Sequence, residues 1–569
     1  MNSINLKISP RFVRQDKDGV RPFQRQTIDA IKNSNAKLIF VEAPVGAGKS
    51  YIIRNLIQDN SLKRRSIILT YPTKILMDSQ LESIRRGFDS IAVWPDDKSN
   101  FPLGSNKSIN ILKYSTDSLV QYLNEEPNAF EFFRNRGEFI RGGLFSMSYG
   151  GHQVFVTTPD VLWLIYSMRY RGAKIIQSQL NSALVFFDEF HTYANLCNFY
   201  HLLENLISKS KVDKVVLLSA TPYLKRQKWS EIEAVLKKKQ ISIKYVGFEN
   251  SEGKEGDTVF NYPLEVELRN FKYTNKDMTL KNIIETLNRI QLPAAIIFDS
   301  IFRLRHIKPE IERLRHKFFI REWSGLKKDK DVPELIKNQE KVIILGTSAI
   351  EVGIDMKLRT LITESGNWAS AIQRIGRVGR MPYFQYGDIY NNKGLLHLFV
   401  DSRDTFNRLE DKIKLSRDSF EVILHETLSD PAKEMIGGEL FRGESYNFIL
   451  FDKYLDEPVV YSEAILSMYE INDSQCRNFW GDDREKRDIL KDAGIKDEEL
   501  INKLILHDKL FPIWGIIISD GLRDTYVRII DVRKEKKPRG VTIYTESNPA
   551  GYRFYKEKPT ATYLEQSPW

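Results

Sequence analysis

Residues 38–50 read Leu-Ile-Phe-Val-Glu-Ala-Pro-Val-Gly-Ala-Gly-Lys-Ser. The apolar run Leu38 to Val41 has the length and make-up of a buried strand. Ala43 to Ser50 then has the composition of a phosphate-binding loop. Gly46 and Gly48, on either side of Ala47, let backbone N–H groups close on a phosphate. Lys49 brings a point charge to the β/γ oxygens, and Ser50 a hydroxyl for Mg²⁺ at a helix N-terminus. A strand that ends in such a loop predicts a nucleotide-driven α/β protein.

The same kind of strand recurs along the chain. Leu38–Val41, Ser66–Thr70, Gln153–Thr157, Ala183–Phe187 and Val215–Leu218 form one set, with helical stretches between them. Ala294–Phe298, Val342–Leu345, Thr360–Thr363 and Leu395–Val400 form a second. Continuous apolar strands alternating with helices predict parallel sheets covered on both faces. Two tandem α/β domains are therefore expected, at 1–224 and 258–405, joined by a polar linker at 225–257. The remainder, 406–569, reads as a C-terminal α+β accessory domain. In it Tyr526–Val532 and Val541–Tyr544 alternate around a turn-like Lys/Pro/Gly segment, as a hairpin would.

At 569 residues the chain has room for several domains. Lys and Arg number 85 against 75 Asp and Glu, a net charge of +10. That excess suits a polyanionic partner but is too dilute to identify one. Two cysteines, Cys197 and Cys476, argue against a disulfide framework or a structural zinc cluster and fit a reducing cytoplasm. Neither a signal peptide nor a membrane-spanning run is legible, so a cytoplasmic protein without a membrane partner is expected.

Asp188-Glu189-Phe190-His191 follows the apolar strand Ala183–Phe187. A carboxylate at a strand end can hold Mg²⁺ through water, the role read for Asp188. Glu189 beside it is placed to orient or deprotonate an attacking water. Arg377 and Arg380 lie one helical turn apart if the surrounding sequence is helical, and would meet a γ-phosphate from one face. Gly376 and Gly379 permit the close approach this needs.

Together these stretches resemble the superfamily-two helicases of the DExH type. Phe23-Gln24 resembles their glutamine motif, which implies that Gln24 reads an adenine edge. Pro72-Thr73 with Gln80 resembles motif Ia, Thr158-Pro159-Asp160 motif Ib, and Ser219-Ala220-Thr221 motif III. Thr347 to Asp355 resembles motif V, and Gln373 to Arg380 motif VI. The resemblance covers roughly residues 20 to 400 and implies two RecA-like domains with ATP and Mg²⁺ in the cleft between them. It adds Gly353, Asp355 and Gln373 to the expected nucleotide site, and sets Thr73, Thr158 and Thr347 where the phosphates of a single strand would run.

Phe187-Asp-Glu-Phe-His-Thr-Tyr193 and Phe441-Arg-Gly-Glu-Ser445 resemble the CRISPR-associated helicase Cas3, in feel its type I-D form. That family usually carries an N-terminal HD nuclease, and about 20 residues precede the glutamine motif here. The resemblance thus implies a 3′ to 5′ helicase on single-stranded and duplex DNA that works with a CRISPR effector (Cascade) complex and a separate HD nuclease subunit. An RNA helicase, a repair or restriction helicase, and a nucleotide-gated DNA clamp remain open, because no motif reports on the 2′-OH or on unwinding.

Three further stretches are ambiguous in sequence. His507-Asp508 is the one HD dipeptide and reads as the end of an amphipathic helix rather than a metal site. About Asp96 to Gly151 reads as an insertion, either a partner- or DNA-contacting element or a mobile loop. The bases and aromatics from Tyr526 to Lys556 could clamp a strand or fill the core of a hairpin.

Overall fold

The computed structural model describes residues 3–430 except 63–64, 97–108, 116–117, 119–121, 123–135, 148–151, 169, 195–196, 225, 271–275, 288, 299–300, 314–317, 325–328, 330, 339–340, 348–349, 352–355, 366, 381–392 and 401. Beyond 430 it describes the backbone of six strands and residues 487, 491, 498 and 502.

The chain opens with β1 (Ser3–Ile8) and β2 (Arg11–Val13), then α1 (Pro22–Asn33), β3 (Leu38–Glu42) and α2 (Ser50–Gln58). Next come β4 (Ile67–Thr70), α3 (Lys74–Arg85), β5 (Ile91–Trp94), β6 (Ile109–Lys113), α4 (Arg136–Met147) and β7 (His152–Thr157). They are followed by α5 (Pro159–Tyr166), β8 (Leu184–Asp188), β9 (Lys214–Ser219), α6 (Arg226–Lys238) and β10 (Ile243–Val246). The second half holds β11 (Thr258–Asn261), β12 (Leu264–Asn270), β13 (Ala294–Ile297), β14 (Phe319–Trp323), β15 (Val342–Gly346) and β16 (Thr360–Glu364). After α7 (Trp368–Ile375) come β17 (Gly394–Val400), α8 (Arg403–Leu409), β18 (Lys414–Leu415) and α9 (Arg417–Thr427).

These strands build two eight-stranded sheets, in the orders β10-β3-β9-β8-β4-β7-β6-β5 and β14-β15-β13-β16-β17-β12-β1-β18. Every pairing within the first sheet is parallel. Its central strands bury both faces, as the unbroken apolar runs require. Leu38, Phe40, Ile68, Val185 and Phe187 pack on one side. Ile39, Val41, Ile67, Leu69, Leu184 and Phe186 pack on the other, against Ile52, Ile53 and Leu56 of α2. This is the period-two alternation of a strand written into two separate cores. The α/β expectation of two parallel-sheet domains holds, and all nine apolar runs are strands.

The domain boundaries differ from the sequence reading in three places. Residues 225–257 are not a linker: they supply α6 and β10, and β10 joins the first sheet beside β3. Half of β10 faces outward at a sheet edge, so the segment reads as polar. Nor does the first domain begin at residue 1. β1 pairs antiparallel with β12 and belongs to the second sheet. Residues past 405 also belong to the second domain, since Phe406, Leu409, Phe420 and Leu424 lie in its core and β18 pairs with β1.

The chain therefore crosses between the domains at 9–22 and again near 250–263. The two crossings pair as the ribbon β2–β11. Arg11 of β2 is ion-paired to Asp418 and Glu421 of α9, which fastens this ribbon to the second domain.

The stretch 96–151, read as an insertion, contributes β6 to the first sheet and α4 to its core through Phe139, Ile140 and Leu144. In the C-terminal region β19 (Asn447–Asp452), β20 (Val459–Ser462), β21 (Ile513–Ser519), β22 (Thr525–Asp531), β23 (Arg539–Asn548) and β24 (Gly551–Phe554) form one sheet. β22 and β23 pair antiparallel, the expected hairpin. His507-Asp508 and Phe441–Ser445 lie outside the described residues.

Candidate nucleotide site

The loops that follow β3, β9 and β8 emerge side by side, because those three strands are consecutive neighbours in the sheet. They carry Ala43–Ser50, Ser219-Ala220-Thr221 and Asp188–His191 respectively. The next two strands, β4 and β7, lead into Thr73 and Thr158, each the residue that opens the following helix. In a parallel sheet the crevice beyond the carboxyl ends of the strands is where ligands bind.

Within the phosphate loop Gly46 and Gly48 have φ of +87° and +84°, the left-handed conformation for which glycine is suited. A Cβ at Gly48 would stand 2.9 Å from Gln24 Nε2, so the Gln24 amide would have to shift to admit one. Gln24 is tied to this loop: its Nε2 donates to Gly48 O at 2.8 Å and its Oε1 accepts from Arg21 N at 2.9 Å. Arg21 in turn donates to Ala47 O. Each Gln24 terminus keeps one further hydrogen-bonding position.

Lys49 Nζ stands 3.2 Å from Ala43 O and 3.6 Å from Glu189 Oε1, so the loop's cation faces that carboxylate. Glu189 has φ +50°, an uncommon conformation for a residue with a side chain and one found at functional sites. Its Oε2 is buried and accepts no hydrogen bond among the described residues. Burial works to raise the Glu189 carboxyl, but Lys49, His191, Arg377 and Arg380 outweigh it and hold it below the ordinary range. Burial, then the Glu189 charge, pushes Asp188 the other way, up to about 7. The pair thus divides into one ionised carboxylate and one that is ready to ionise against a cation.

Asp188 and Ser50 offer hard oxygen donors, and among the described residues Asp188 accepts a hydrogen bond only from the Glu189 N–H, at 3.1 Å. Mg²⁺ is commonly held by one or two protein oxygens plus phosphates and water, so this donor set fits it. Among the described residues no group of three or more His, Cys, Asp and Glu side chains is placed to hold a metal.

His191, whose role sequence reading missed, links the site to the second domain. Its Nδ1 lies 3.5 Å from Glu189 Oε2 and 2.8 Å from Ser219 Oγ. Ser219 Oγ accepts from Thr221 N at 3.0 Å, and Thr221 Oγ1 accepts from Gln373 Nε2 at 3.0 Å. Burial, with Lys49 adding to it against the pull of Glu189, lowers His191 to about 4, so the relay runs through a neutral imidazole. Gln373, expected at the nucleotide, is 1% exposed and spends its amide on Thr221.

Arg377 and Arg380 do not share a helix. α7 ends at Ile375, and Val378 runs beside Leu358 as a parallel bridge. Gly379, at φ +69°, turns the chain there, because glycine favours such a break over continued helix. The charges of both arginines nevertheless help to hold the Glu189 carboxyl below its ordinary range. A Cβ on Gly46 would lie 3.7 Å from Arg380 Nε, which puts that guanidinium over the phosphate loop.

The residues that steady this turn escaped the sequence reading although they lie inside the quoted motifs. Arg374, 1% exposed, binds Glu351 Oε1 at 2.7 Å, and Arg377 Nη2 donates to Glu351 O. Only the fold reveals that Glu351 serves both.

The three threonines expected on a nucleic-acid path all lie in the segments that follow strands. Thr73 caps α3 by accepting from Leu76 N at 3.2 Å, and Thr158 precedes α5. Thr347 is 2% exposed after β15. Gly353 and Asp355 lie outside the described residues.

Comparison with known proteins gives two family matches. Residues 17–224 match the type III restriction enzyme res subunit, and residues 279–382 match the C-terminal part of the CRISPR-associated nuclease/helicase Cas3. "Putative helicase 22" of Sulfolobus islandicus filamentous virus (isolate Iceland/Hveragerdi) is 23% identical over 354 residues, 53% of this chain and 61% of that protein. The CRISPR-associated helicase Cas3 of Thermoproteus tenax is 34% identical over 96 residues, 16% of each chain. This chain therefore spans less than two thirds of either relative. Among solved structures, the DNA-bound DUF1998 helicase MrfA aligns at 14% identity and TM-score 0.47, over 81% of this chain and 66% of that one. T. fusca Cas3 aligns at 16% identity and TM-score 0.46, over 73% of this chain and 50% of that one. Both family matches lie on the domains that build the cleft, and with the Cas3 relative they make the chain similar to superfamily-two helicases of the Cas3-like kind.

Proposed function

We propose that this chain hydrolyses ATP with Mg²⁺ and uses the resulting opening and closing of its cleft to move 3′ to 5′ on single-stranded DNA and unwind duplex. The observation that carries the reading is that cations from both domains meet at the phosphate loop: Lys49 of the first lies 3.6 Å from Glu189, and Arg380 of the second has its Nε 3.7 Å from where a Cβ on Gly46 would stand. Lys49 would neutralise the β/γ oxygens, while Ser50 and Asp188 would hold the metal. Mg²⁺ when bound supplies charge neutralisation to the phosphates. Glu189 would orient or deprotonate the attacking water, and Arg377 with Arg380 would meet the charge developing on the γ-phosphate. Because these groups sit on two domains, closure completes the site and release of products relaxes it. Thr73, Thr158 and Thr347 would track the strand, Gln24 the adenine edge, and Gly353 and Asp355 would complete the nucleotide side.

In this reading the motor serves CRISPR interference beside a Cascade-type effector complex, with an HD nuclease supplied by another subunit. The test is strand displacement from duplexes bearing a 3′ or a 5′ DNA tail, and from matching RNA tails, with Lys49→Ala as control. ATP-dependent displacement from the 3′-tailed DNA alone is expected. Hydrolysis without displacement would establish a nucleotide-gated clamp instead, and displacement from RNA tails an RNA helicase.

A further inference from the structure

The sheet places one residue between the two halves of this machine, and neither the motifs nor the relay above uses it. Thr70, the last residue of β4, is in register with Phe187 of β8 on one side and with Thr157 of β7 on the other. One step further, Tyr71 is level with Asp188 and with Thr158. The ladder still holds there, since Tyr71 N donates to Thr157 O at 3.1 Å. Residues in register on parallel strands project to the same face and stand about 4.8 Å apart. Tyr71 lies with Ile67, Leu69, Leu184 and Phe186 in the core on the α2 side, the face to which Asp188 also belongs by alternation.

Tyr71 is 1% exposed, and its phenolic oxygen makes no hydrogen bond to another described residue. A buried hydroxyl left in that state is destabilising, and it tends to be retained where function needs it. Its neighbour in register is a carboxylate with capacity to spare: among the described residues Asp188 accepts a hydrogen bond from the Glu189 N–H alone. On the other side of Tyr71 the chain runs directly into Pro72 and Thr73. Pro72 fixes its own φ, so a displacement of the Thr73 loop passes to Tyr71 with little slack.

We infer that Tyr71 is a positioning residue: its phenol, which donates to no described residue here, is the donor poised for the carboxylate Asp188 when that group engages the metal, and Tyr71 ties Asp188 mechanically to the loop that carries Thr73. This rests on the nucleotide reading above and extends it. Groups around a metal that orient its ligands govern affinity for the ion without touching it. A strand seated at Thr73 would thereby sharpen the metal site, which gives DNA-stimulated hydrolysis a physical route.

The test is Tyr71→Phe in the full chain, a change that keeps the ring and the packing. Three quantities are measured: the melting temperature without ligand, the Mg²⁺ concentration needed for half-maximal binding of a fluorescent ADP, and the fold stimulation of hydrolysis by single-stranded DNA. Mn²⁺ bound with ADP is followed by electron paramagnetic resonance as a direct view of the ion. Removing a hydroxyl that lacks a partner should leave the melting temperature level or raised. The Mg²⁺ requirement should rise about tenfold, the low end for loss of an orienting group, and DNA stimulation should shrink. Opposite signs in stability and metal binding are what a purely structural hydroxyl would not produce. An unchanged Mg²⁺ requirement, or a lowered melting temperature, overturns the inference. Failure of the wild-type chain to bind ADP with Mg²⁺ would instead sink the nucleotide reading itself.

Discussion

Gln373 Nε2 donates a 3.0 Å hydrogen bond to Thr221 Oγ1, joining motif VI of the second domain to motif III of the first. Both residues are buried, at 1% exposure each, so the bond is shielded from water and its two partners have no substitute. It is the last link of the path Glu189–His191–Ser219–Thr221–Gln373, and it forms only when the domains are together.

Gln373→Ala should therefore weaken the closed arrangement by about 1 kcal/mol, the net worth of a neutral hydrogen bond. The expected outcome is a raised KM for ATP and weaker coupling of hydrolysis to DNA, with folding of each domain intact. Thr221→Val should give the same phenotype, and the double variant should be no worse than either single one. Steady-state ATPase assays with and without single-stranded DNA check this; additive effects would separate the two residues.

Gly376→Ala should hold the cleft apart. A Cβ at 376 would stand 2.7 Å from Val45 Cβ in the phosphate loop, a distance at which something must shift. Gly376, which follows α7 with φ −63° and ψ −7°, has a backbone that alanine adopts freely, so the cost falls on the domain contact rather than on the chain. A loss of at least about tenfold in kcat is expected, corresponding to about 1.4 kcal/mol or more. Val45→Ala in the same chain should restore part of it by removing the opposing methyl groups.

Glu189→Gln should keep nucleotide binding while lowering kcat by about 10²- to 10⁴-fold, the usual contribution of a general base. Lys49→Ala, by contrast, should abolish binding of the phosphates. Equilibrium binding of a fluorescent ATP analogue beside single-turnover hydrolysis distinguishes the two. Near-normal turnover in Glu189→Gln would remove that residue from its assigned role.

The second domain should lose stability in acid through Glu267. A hydrogen bond from His397, at 2.9 Å, and the Arg269 guanidinium bring its carboxyl down to about 2 from an ordinary 4.5. A depressed folded-state value favours the ionised form, so its contribution is full above about pH 4.5 and is lost as pH falls toward 2. Glu267→Gln should melt lower at pH 7 and lose less of its remaining stability across that window. Melting temperatures from pH 7 to pH 3 would show the two curves converging; parallel curves would exclude the linkage.

No helix among the described residues is long and apolar enough to cross a membrane.

All nine apolar runs and the residues of the phosphate loop were legible in the sequence alone. A strand buried on both faces must be apolar throughout, and a loop that wraps a phosphate must have glycine where φ is positive, as at Gly46 and Gly48. Both are local demands, written over a few consecutive residues. The assignment of β1 to the far domain is not local: its partner β12 lies more than 250 residues away, and Ser3–Ile8 shows only the alternation of any half-covered strand. β10 hid for a related reason, since an edge strand shows its polar residues to solvent. The partnership of Arg374 with Glu351, the relay through His191, and the placing of Tyr71 beside Asp188 likewise depend on which strands became neighbours. Sequence spacing even suggested a shared helix for Arg377 and Arg380, where the fold instead ends α7 at Ile375, a glycine turn follows, and both charges still help to hold the Glu189 carboxyl below its ordinary range. Local propensity and patterning determined the elements and the loop chemistry; long-range pairing decided which of those loops face one another, because only the assembled sheets bring their ends together.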